Sequence, residues 1–157
     1  MQRGHRHPHP RALAIQLERW HRVSLYFVFA MLTLSGALWL VFHYFVLVLG
    51  AFGLRHHPLE IWCLKLHGAF AMLALLFVGS LMAHHVKRAW HLRRNRASGT
   101  IAVAVNAFLI ATGYLLYYFG GEDTRPWISA LHWGVGMAIP IVLLLHIRFG
   151  RRTQVKH

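Results

Sequence analysis

The chain has 157 residues, of which 57% are hydrophobic and 13% charged, and its 17 Lys and Arg residues outnumber 4 Asp and Glu. This composition is too apolar for a soluble domain of this length, and it excludes a disordered chain. The single cysteine excludes a disulfide scaffold, a four-thiolate zinc site and an iron–sulfur cluster held by this chain alone.

Four stretches of the chain are long and apolar enough to cross a membrane, which takes about 20 residues. In chain order we predict transmembrane helices at about residues 20–50, 60–86, 100–120 and 126–148, after a basic tail over residues 1–18. The first stretch is longer than a span needs, so its helix should tilt or project from the bilayer. No stretch alternates as barrel strands do. We therefore expect an all-α fold, a four-helix membrane bundle that forms one domain over residues 1–157.

The basic residues are clustered between the uncharged stretches. Fourteen of the 17 lie in the two tails and the second connection, namely Arg3, Arg6, Arg11, Arg19, Arg22, Lys87, Arg88, Arg93, Arg94, Arg96, Arg148, Arg151, Arg152 and Lys156. By the positive-inside rule both termini are cytoplasmic. We expect these cations to face anionic lipid headgroups, and we expect no nucleic-acid partner because no soluble domain remains to bind one.

The sequence contains a weak internal repeat. Leu34-Ser35-Gly36 in the first span is similar to Ala111-Thr112-Gly113 in the third, and Leu66-His67-Gly68 in the second is similar to Leu131-His132-Trp133 in the fourth. Membrane bundles often repeat a hairpin in this way. The similarity is equally compatible with coincidence among common membrane residues.

Arg22, Glu60, Lys65 and Arg148 lie toward the ends of the predicted spans, and the ionisable residues of interest further inside are histidines. Ionisable side chains at that depth are costly and usually functional. His132 and His146 are 14 residues apart on the fourth helix, which is about 21 Å along its axis and nearly the same face. This spacing suits two metal centres stacked across the bilayer. His67 should lie at the depth of His132. At the depth of His146 we expect His21 on the first helix and the pair His84 and His85 on the second.

Two layers of facing imidazoles predict two haem b groups, because neutral imidazoles fill both axial positions of a haem iron. Gly36 and Gly113 fall at the outer histidine depth, where a missing side chain would let a porphyrin approach the backbone. Arg19, Arg22 and Arg148 are available at the inner surface for the propionates.

The other histidines have simpler interpretations. We expect His43 to pack at the interface, and His56, His57 and His91 to be solvated loop residues. The tail histidines could bind a transition metal weakly, but a disordered basic arm is the simpler interpretation.

Arg19-Trp20-His21 and Leu34-Ser35-Gly36 resemble the first-helix signature of the bacterial cytochrome b561 and nickel–iron-hydrogenase cytochrome b family, which includes the cytochrome b subunit of membrane formate dehydrogenase. The resemblance implies a four-helix, multi-pass protein of the bacterial inner membrane. It also implies an outer haem between His67 and His132 and an inner haem between His21 and His146. The stretch from Asn95 to Gly99 is similar to the turn near the family's quinone site, which makes Asn95 and Ser98 candidate quinone contacts.

His84 and His85 are the alternative inner ligands. They lie 17 and 18 residues after His67, so the second helix would overshoot His146 by about 4–6 Å if the outer pair is level. His85 does share a face with His67. The distance and the resemblance together favour His21.

The sequence thus predicts a di-haem membrane cytochrome b that transfers electrons between a redox partner and the quinone pool. The expected partner is a dehydrogenase, hydrogenase or cytochrome subunit. One alternative is a stand-alone superoxide:quinone oxidoreductase-like enzyme, which a basic funnel at the outer surface would favour. Another is a histidine-lined metal-ion carrier, which would need more polar residues in the spans than this sequence offers.

Overall fold

The structure, a computed structural model, describes residues 18–93 and 95–155 of the chain, with side chains up to Gly150. The predicted basic tail lies outside the described residues except for Glu18, and so do Arg94 and Lys156. The described part is mostly helical, and four of its helices are long and apolar enough to cross a membrane. The prediction of four candidate membrane spans is confirmed.

The elements follow one another as two helical hairpins. They are α1 (Arg19–Tyr44), β1 (Leu47–Gly50), β2 (Gly53–His56), α2 (Leu59–Leu81), a π-helical turn (Met82–Val86), α3 (Lys87–His91), α4 (Arg96–Tyr118) and α5 (Arg125–Val155). The π-helical turn and α3 continue α2 without a break, so the second apolar stretch runs over Leu59–His91.

A small β-hairpin joins α1 to α2, where the sequence predicted a helix continuing to about residue 50. Strands β1 and β2 are antiparallel and pair Leu47 with His56 and Gly50 with Gly53. Gly53 has a φ of +116°, a conformation that only glycine adopts readily. The two-residue turn and this glycine let the backbone groups beyond Tyr44 pair within a hairpin, which ends the helix about one and a half turns early.

The helices pack as neighbours in sequence, α1 against α2 and α4 against α5, and α1 against α5 joins the two hairpins. Leu25 and Phe29 of α1 meet Ile139 of α5 in a buried cluster that Phe77 of α2 and Leu109 of α4 border. Most other large apolar side chains are exposed on the bundle surface, as expected where lipid replaces water. Trp20, Trp62, Trp90 and Trp127 are among these exposed side chains, and each lies near an end of a membrane-length helix.

Candidate functional site: two layers of histidines

His67 of α2 and His132 of α5 face each other inside the bundle. Their ring centroids are 6.2 Å apart, and the ring planes are tilted by 81°. The two residues come from different hairpins, so this pair is a contact point between the two halves of the molecule. The structure therefore places at one level the two histidines that the sequence assigned to the outer layer.

The Nδ1 atom of His67 is held by α1. It lies 3.0 Å from the backbone oxygen of Leu32 and 3.3 Å from the hydroxyl of Ser35. A carbonyl oxygen can only accept, so the Nδ1 of His67 donates and carries the proton of the neutral ring. Its Nε2 then has the free lone pair, which is the form of imidazole that binds a metal.

His132 is held in the same way by α4. The Thr112 hydroxyl donates to the backbone oxygen of Phe108 at 2.9 Å, and it lies 2.8 Å from the Nδ1 of His132. Because a hydroxyl has one proton to give, Thr112 accepts from the His132 ring, which again leaves the lone pair on Nε2. Among the described residues, the Nε2 atoms of His67 and His132 have no hydrogen-bond partner.

Glycines stand beside both rings. A Cβ atom on Gly36 would lie 3.2 Å from the Cε1 and Nδ1 of His67, and one on Gly113 would lie 3.4 Å from the Cε1 of His132. The sequence assigned these glycines to the approach of a porphyrin. In the structure each of them gives room to an imidazole, so that the helix backbone and the ring can be in close contact.

The weak sequence repeat corresponds to a repeat of contacts. Ser35-Gly36 of α1 borders His67 of α2, and Thr112-Gly113 of α4 borders His132 of α5. In each hairpin the first helix supplies a buried hydroxyl and a glycine to a histidine on the second. Matched contacts of this kind favour two hairpins of one design over coincidence.

A second layer repeats the arrangement near the other end of α4 and α5. The Ser98 hydroxyl lies 3.1 Å from the Nδ1 of His146, and a Cβ atom on Gly99 would lie 3.9 Å from the His146 ring. Ser98 and Thr112 are 14 residues apart on α4, as His132 and His146 are on α5. The two layers are therefore separated by about 21 Å along both helices.

On α1 the same spacing leads from Ser35 to His21, again 14 residues away. The His21 ring lies edge-on to Phe77 of α2, with ring centroids 5.3 Å apart. Its Nε2 is buried and has no hydrogen-bond partner in the part of the chain that the structure describes. A buried imidazole nitrogen left in this state is costly unless a metal or another group occupies it.

The adjacent histidines of the π-helical turn after α2 differ from each other in exposure and contacts. His84 is exposed, and its Nδ1 lies 3.2 Å from the backbone oxygen of Ser80 in the same helix. His85 lies close enough to His146 for an electrostatic interaction, and its Nδ1 is buried without a hydrogen-bond partner among residues 18–93 and 95–155. Both residues belong to the π-helical turn, a feature found often at functional sites. The inner layer thus brings His85 near His146, and His84 faces outward.

The remaining residues predicted for the inner surface are arranged around this layer. Arg19, Arg22 and Arg148 are exposed. Asn95 precedes α4 in a left-handed conformation with φ +49°, and a Cβ atom on Gly150 would lie 3.3 Å from its Nδ2. The Ser98 hydroxyl, a predicted quinone contact, is the group that lies 3.1 Å from the Nδ1 of His146.

Sequence reasoning missed one cluster at the opposite end of the bundle. His43 at the end of α1 and His56 at the end of β2 both approach Glu60 in the first turn of α2. The sequence interpretation placed His43 in interfacial packing and left His56 solvated. The spacing of four residues between His56 and Glu60 was the available signal, but nothing in the sequence predicted the hairpin that brings them to His43.

No protein-family model, curated protein or solved structure matches the chain, so the chemistry of both histidine layers must be argued from their own geometry.

Proposed function

We propose that this protein is a di-haem membrane cytochrome b that transfers electrons across the membrane between a redox partner on one side and quinone on the other. Haem b in each layer would supply a one-electron carrier. His67 and His132 would bind the outer group, and His21 and His146 the inner one.

The separation of the His67 and His132 rings is the observation that carries this proposal. Two imidazoles that held one iron between them, with metal–nitrogen bonds of about 2.0 Å and ring centres about 1.1 Å further on each side, would have centroids about 6.2 Å apart. The measured distance is 6.2 Å. Ordinary edge-to-face pairs span a wider range, about 4.5–7 Å, and include this value. The nitrogens favour a shared metal over an ordinary ring contact, because both Nδ1 atoms have protein partners and, among the described residues, both Nε2 atoms are left free.

The histidine nitrogens of the inner layer would also suit a haem iron. The Nδ1 of His146 contacts the Ser98 hydroxyl, just as the Nδ1 atoms of the two proposed outer ligands contact hydroxyls of the neighbouring helices. His21 offers a buried and unpartnered Nε2, which is the ligand nitrogen, whereas the unpartnered atom of His85 is Nδ1. A ligand histidine normally donates its Nδ1–H to a protein group. The Nδ1 of His85 does not follow this pattern, and the buried Nε2 of His21 and the 14-residue spacing favour His21. The proximity of His85 to His146 makes His85 the alternative.

Electrons would enter and leave at the two ends of the bundle. Outside the helices, the described residues form only a hairpin and short turns, so no domain among them could bind a soluble substrate. The proposed orientation has both termini in the cytoplasm of a bacterium, by the distribution of basic residues. Quinone would then approach the inner layer from the turn at Asn95, and the partner subunit would dock at the hairpin end.

The outer cations do not favour a superoxide:quinone oxidoreductase. The Lys65 ammonium lies over the Trp62 ring, 4.6 Å from its centroid. The side chain of Arg55 packs along Gly50, and that of Arg125 along Gly120. Each of these cations packs against its own local neighbours. This arrangement differs from a basic funnel, in which the cations would converge to attract an anion.

The test is to purify the full-length protein with a tag that contains no histidine, and to measure haem by the pyridine haemochrome method. We expect two b-type haems per chain and a reduced-minus-oxidised spectrum of six-coordinate, low-spin haem. One haem per chain or none would contradict the proposal. A colourless, correctly folded protein would favour the metal-ion carrier.

A further inference from the structure

We propose a second metal site, independent of the histidine layers, that binds a divalent transition-metal ion such as Zn²⁺ through His43, His56 and Glu60. One ligand atom from each residue lies within 4.8 Å of the others. The three residues come from the end of α1, the end of β2 and the first turn of α2. A metal here would tie the hairpin to both helices.

The distances are close to those of a coordination shell. The Nδ1 of His43 lies 2.7 Å from the Glu60 Oε1, and the Nδ1 of His56 lies 3.1 Å from the Glu60 Oε2. In a tetrahedral zinc site with bonds of about 2.0 Å, neighbouring ligand atoms are about 3.3 Å apart. Small side-chain movements would therefore place one ion between all three groups.

Hydrogen bonding alone does not account for the cluster. His43 and Glu60 form a good hydrogen bond. The second carboxylate oxygen, Oε2 of Glu60, is buried without a hydrogen-bond partner from any described residue, although the Nδ1 of His56 is only 3.1 Å away. The two imidazoles are stacked in parallel, with centroids 4.7 Å apart and planes 1° apart. The geometry between this oxygen and the His56 ring nitrogen is poor for a hydrogen bond. A cation that bridged the two atoms would satisfy the buried oxygen.

Two imidazoles and one carboxylate form a donor set that suits zinc and neighbouring first-row metals. Three protein ligands leave one position for water or an exogenous ligand. Glu60 and His56 also line an open cavity of about 380 Å³, together with Trp39, His57 and Pro58. The fourth position is therefore accessible, which is typical of a site that exchanges its metal or binds a further ligand.

This site is separate from the proposed outer haem. Glu60 and His67 are seven residues apart on α2, as His43 and Gly36 are on α1. Seven residues rise about 10 Å along a helix, so the cluster lies beyond direct contact with the outer histidine pair. Loss of the cluster should leave haem binding intact, and the two proposals can fail independently.

The test is calorimetric titration of Zn²⁺ into the metal-stripped, full-length protein, again with a tag that contains no histidine. We expect the wild type to bind one Zn²⁺ that Glu60→Gln and His56→Asn bind at least about 100-fold more weakly. The matched control is His57→Asn in the same connection. The His57 ring lines the same cavity, but it is not a ligand, because it stacks on Phe42 and its Nδ1 accepts from the Leu59 amide. We expect this control to keep the wild-type stoichiometry and affinity.

Co²⁺ provides a second measurement. In the wild type and in His57→Asn it should give the visible absorption of a tetrahedral or five-coordinate site, and this absorption should be missing in Glu60→Gln. Haem content, measured in each variant, shows whether the bundle is intact. Zn²⁺ binding that is equal in the wild type and in the correctly folded Glu60→Gln would overturn the proposal, and would leave the tail histidines as the source of any binding.

Discussion

The Thr112 hydroxyl lies 2.8 Å from the Nδ1 of His132, and it gives its own proton to the backbone of the helix it stands on. The hydroxyl therefore fixes both the orientation and the tautomer of the imidazole. The Ser35 hydroxyl donates to the Met31 oxygen at 2.8 Å and stands in the same relation to His67. In each hairpin the helix that supplies the hydroxyl, α1 or α4, thereby determines which ring nitrogen of the histidine on the next helix is free.

Replacing Thr112 with Val should weaken the binding of the proposed outer haem without removing its ligand. The change keeps the shape of the side chain and deletes the acceptor for the Nδ1–H of His132. Loss of such a contact costs about 10–100-fold in metal-site affinity. It also makes the imidazole a weaker electron donor, so the midpoint potential of the outer haem should become more positive. Redox titration and haem retention in detergent measure the two effects.

Thr33→Val is the matched control for this experiment. The Thr33 hydroxyl lies 2.9 Å from the Phe29 oxygen of its own helix, and it has no bond to any histidine that the structure describes. Both haems should keep their wild-type potentials in Thr33→Val. Equal shifts in the two variants would show that Thr112 acts only through general packing.

Removing either outer histidine should remove one haem and leave the other. We expect one haem per chain in His67→Ala and in His132→Ala, because the inner layer lies about 21 Å away along the helices. The pyridine haemochrome assay gives the count, and the spectrum should keep the inner component unchanged. Two haems in either variant would show that the outer pair is assigned wrongly.

The sequence predicted the helices well because an uncharged run of about 20 residues has few alternatives in a protein. It also predicted that His67 and His132 share a level, since equal distances along neighbouring helices place residues at equal depth. The β-hairpin was missed because the residues beyond Tyr44 are as apolar as the helix before them. Composition therefore gave no sign of the change, and only the strand pairing and Gly53 show it.

The contacts that support the histidines also could not be predicted from the sequence. Ser35 and Thr112 were noticed as part of a repeat, but their distances to His67 and His132 depend on how the helices face each other. The π-helical turn at Met82–Val86 has no recognisable sequence signal, and it changes which side chains of α2 face the inner layer. The predicted overshoot of His84 and His85 beyond His146 assumed a regular helix from His67 onward, and the π-helical turn departs from that geometry.

Gly36→Ala should impair the outer layer because the new methyl group would lie 3.2 Å from the Cε1 and Nδ1 of His67. The ring must shift, and its hydrogen bonds to α1 must lengthen. We expect reduced haem content in the outer layer, measured per folded chain. Gly113→Ala should have a smaller effect, since its methyl group would lie 3.4 Å from the His132 ring.

Gly68→Ala is the control for this comparison, because it adds the same methyl group next to His67 in the sequence and meets nothing within 4 Å. Alanine is the better helix former by about 0.5–1 kcal/mol, so this variant should be folded and contain both haems. If Gly36→Ala matches the Gly68→Ala control in haem content, the close contact between α1 and the His67 ring is unimportant for binding.

The identity of the second inner ligand gives the last prediction. His21→Ala should reduce the haem count from two to one per chain, because it removes the residue with the buried, unpartnered Nε2. His84→Ala should keep both haems, since the His84 ring is exposed and is near the Ser80 oxygen of its own helix. His85→Ala is the informative comparison, because His85 lies near His146. We expect it to keep two haems and to change only the spectrum or potential of the inner one. Loss of the inner haem in His85→Ala together with its retention in His21→Ala would assign the iron to His85, and would make the π-helical turn the feature that delivers the ligand.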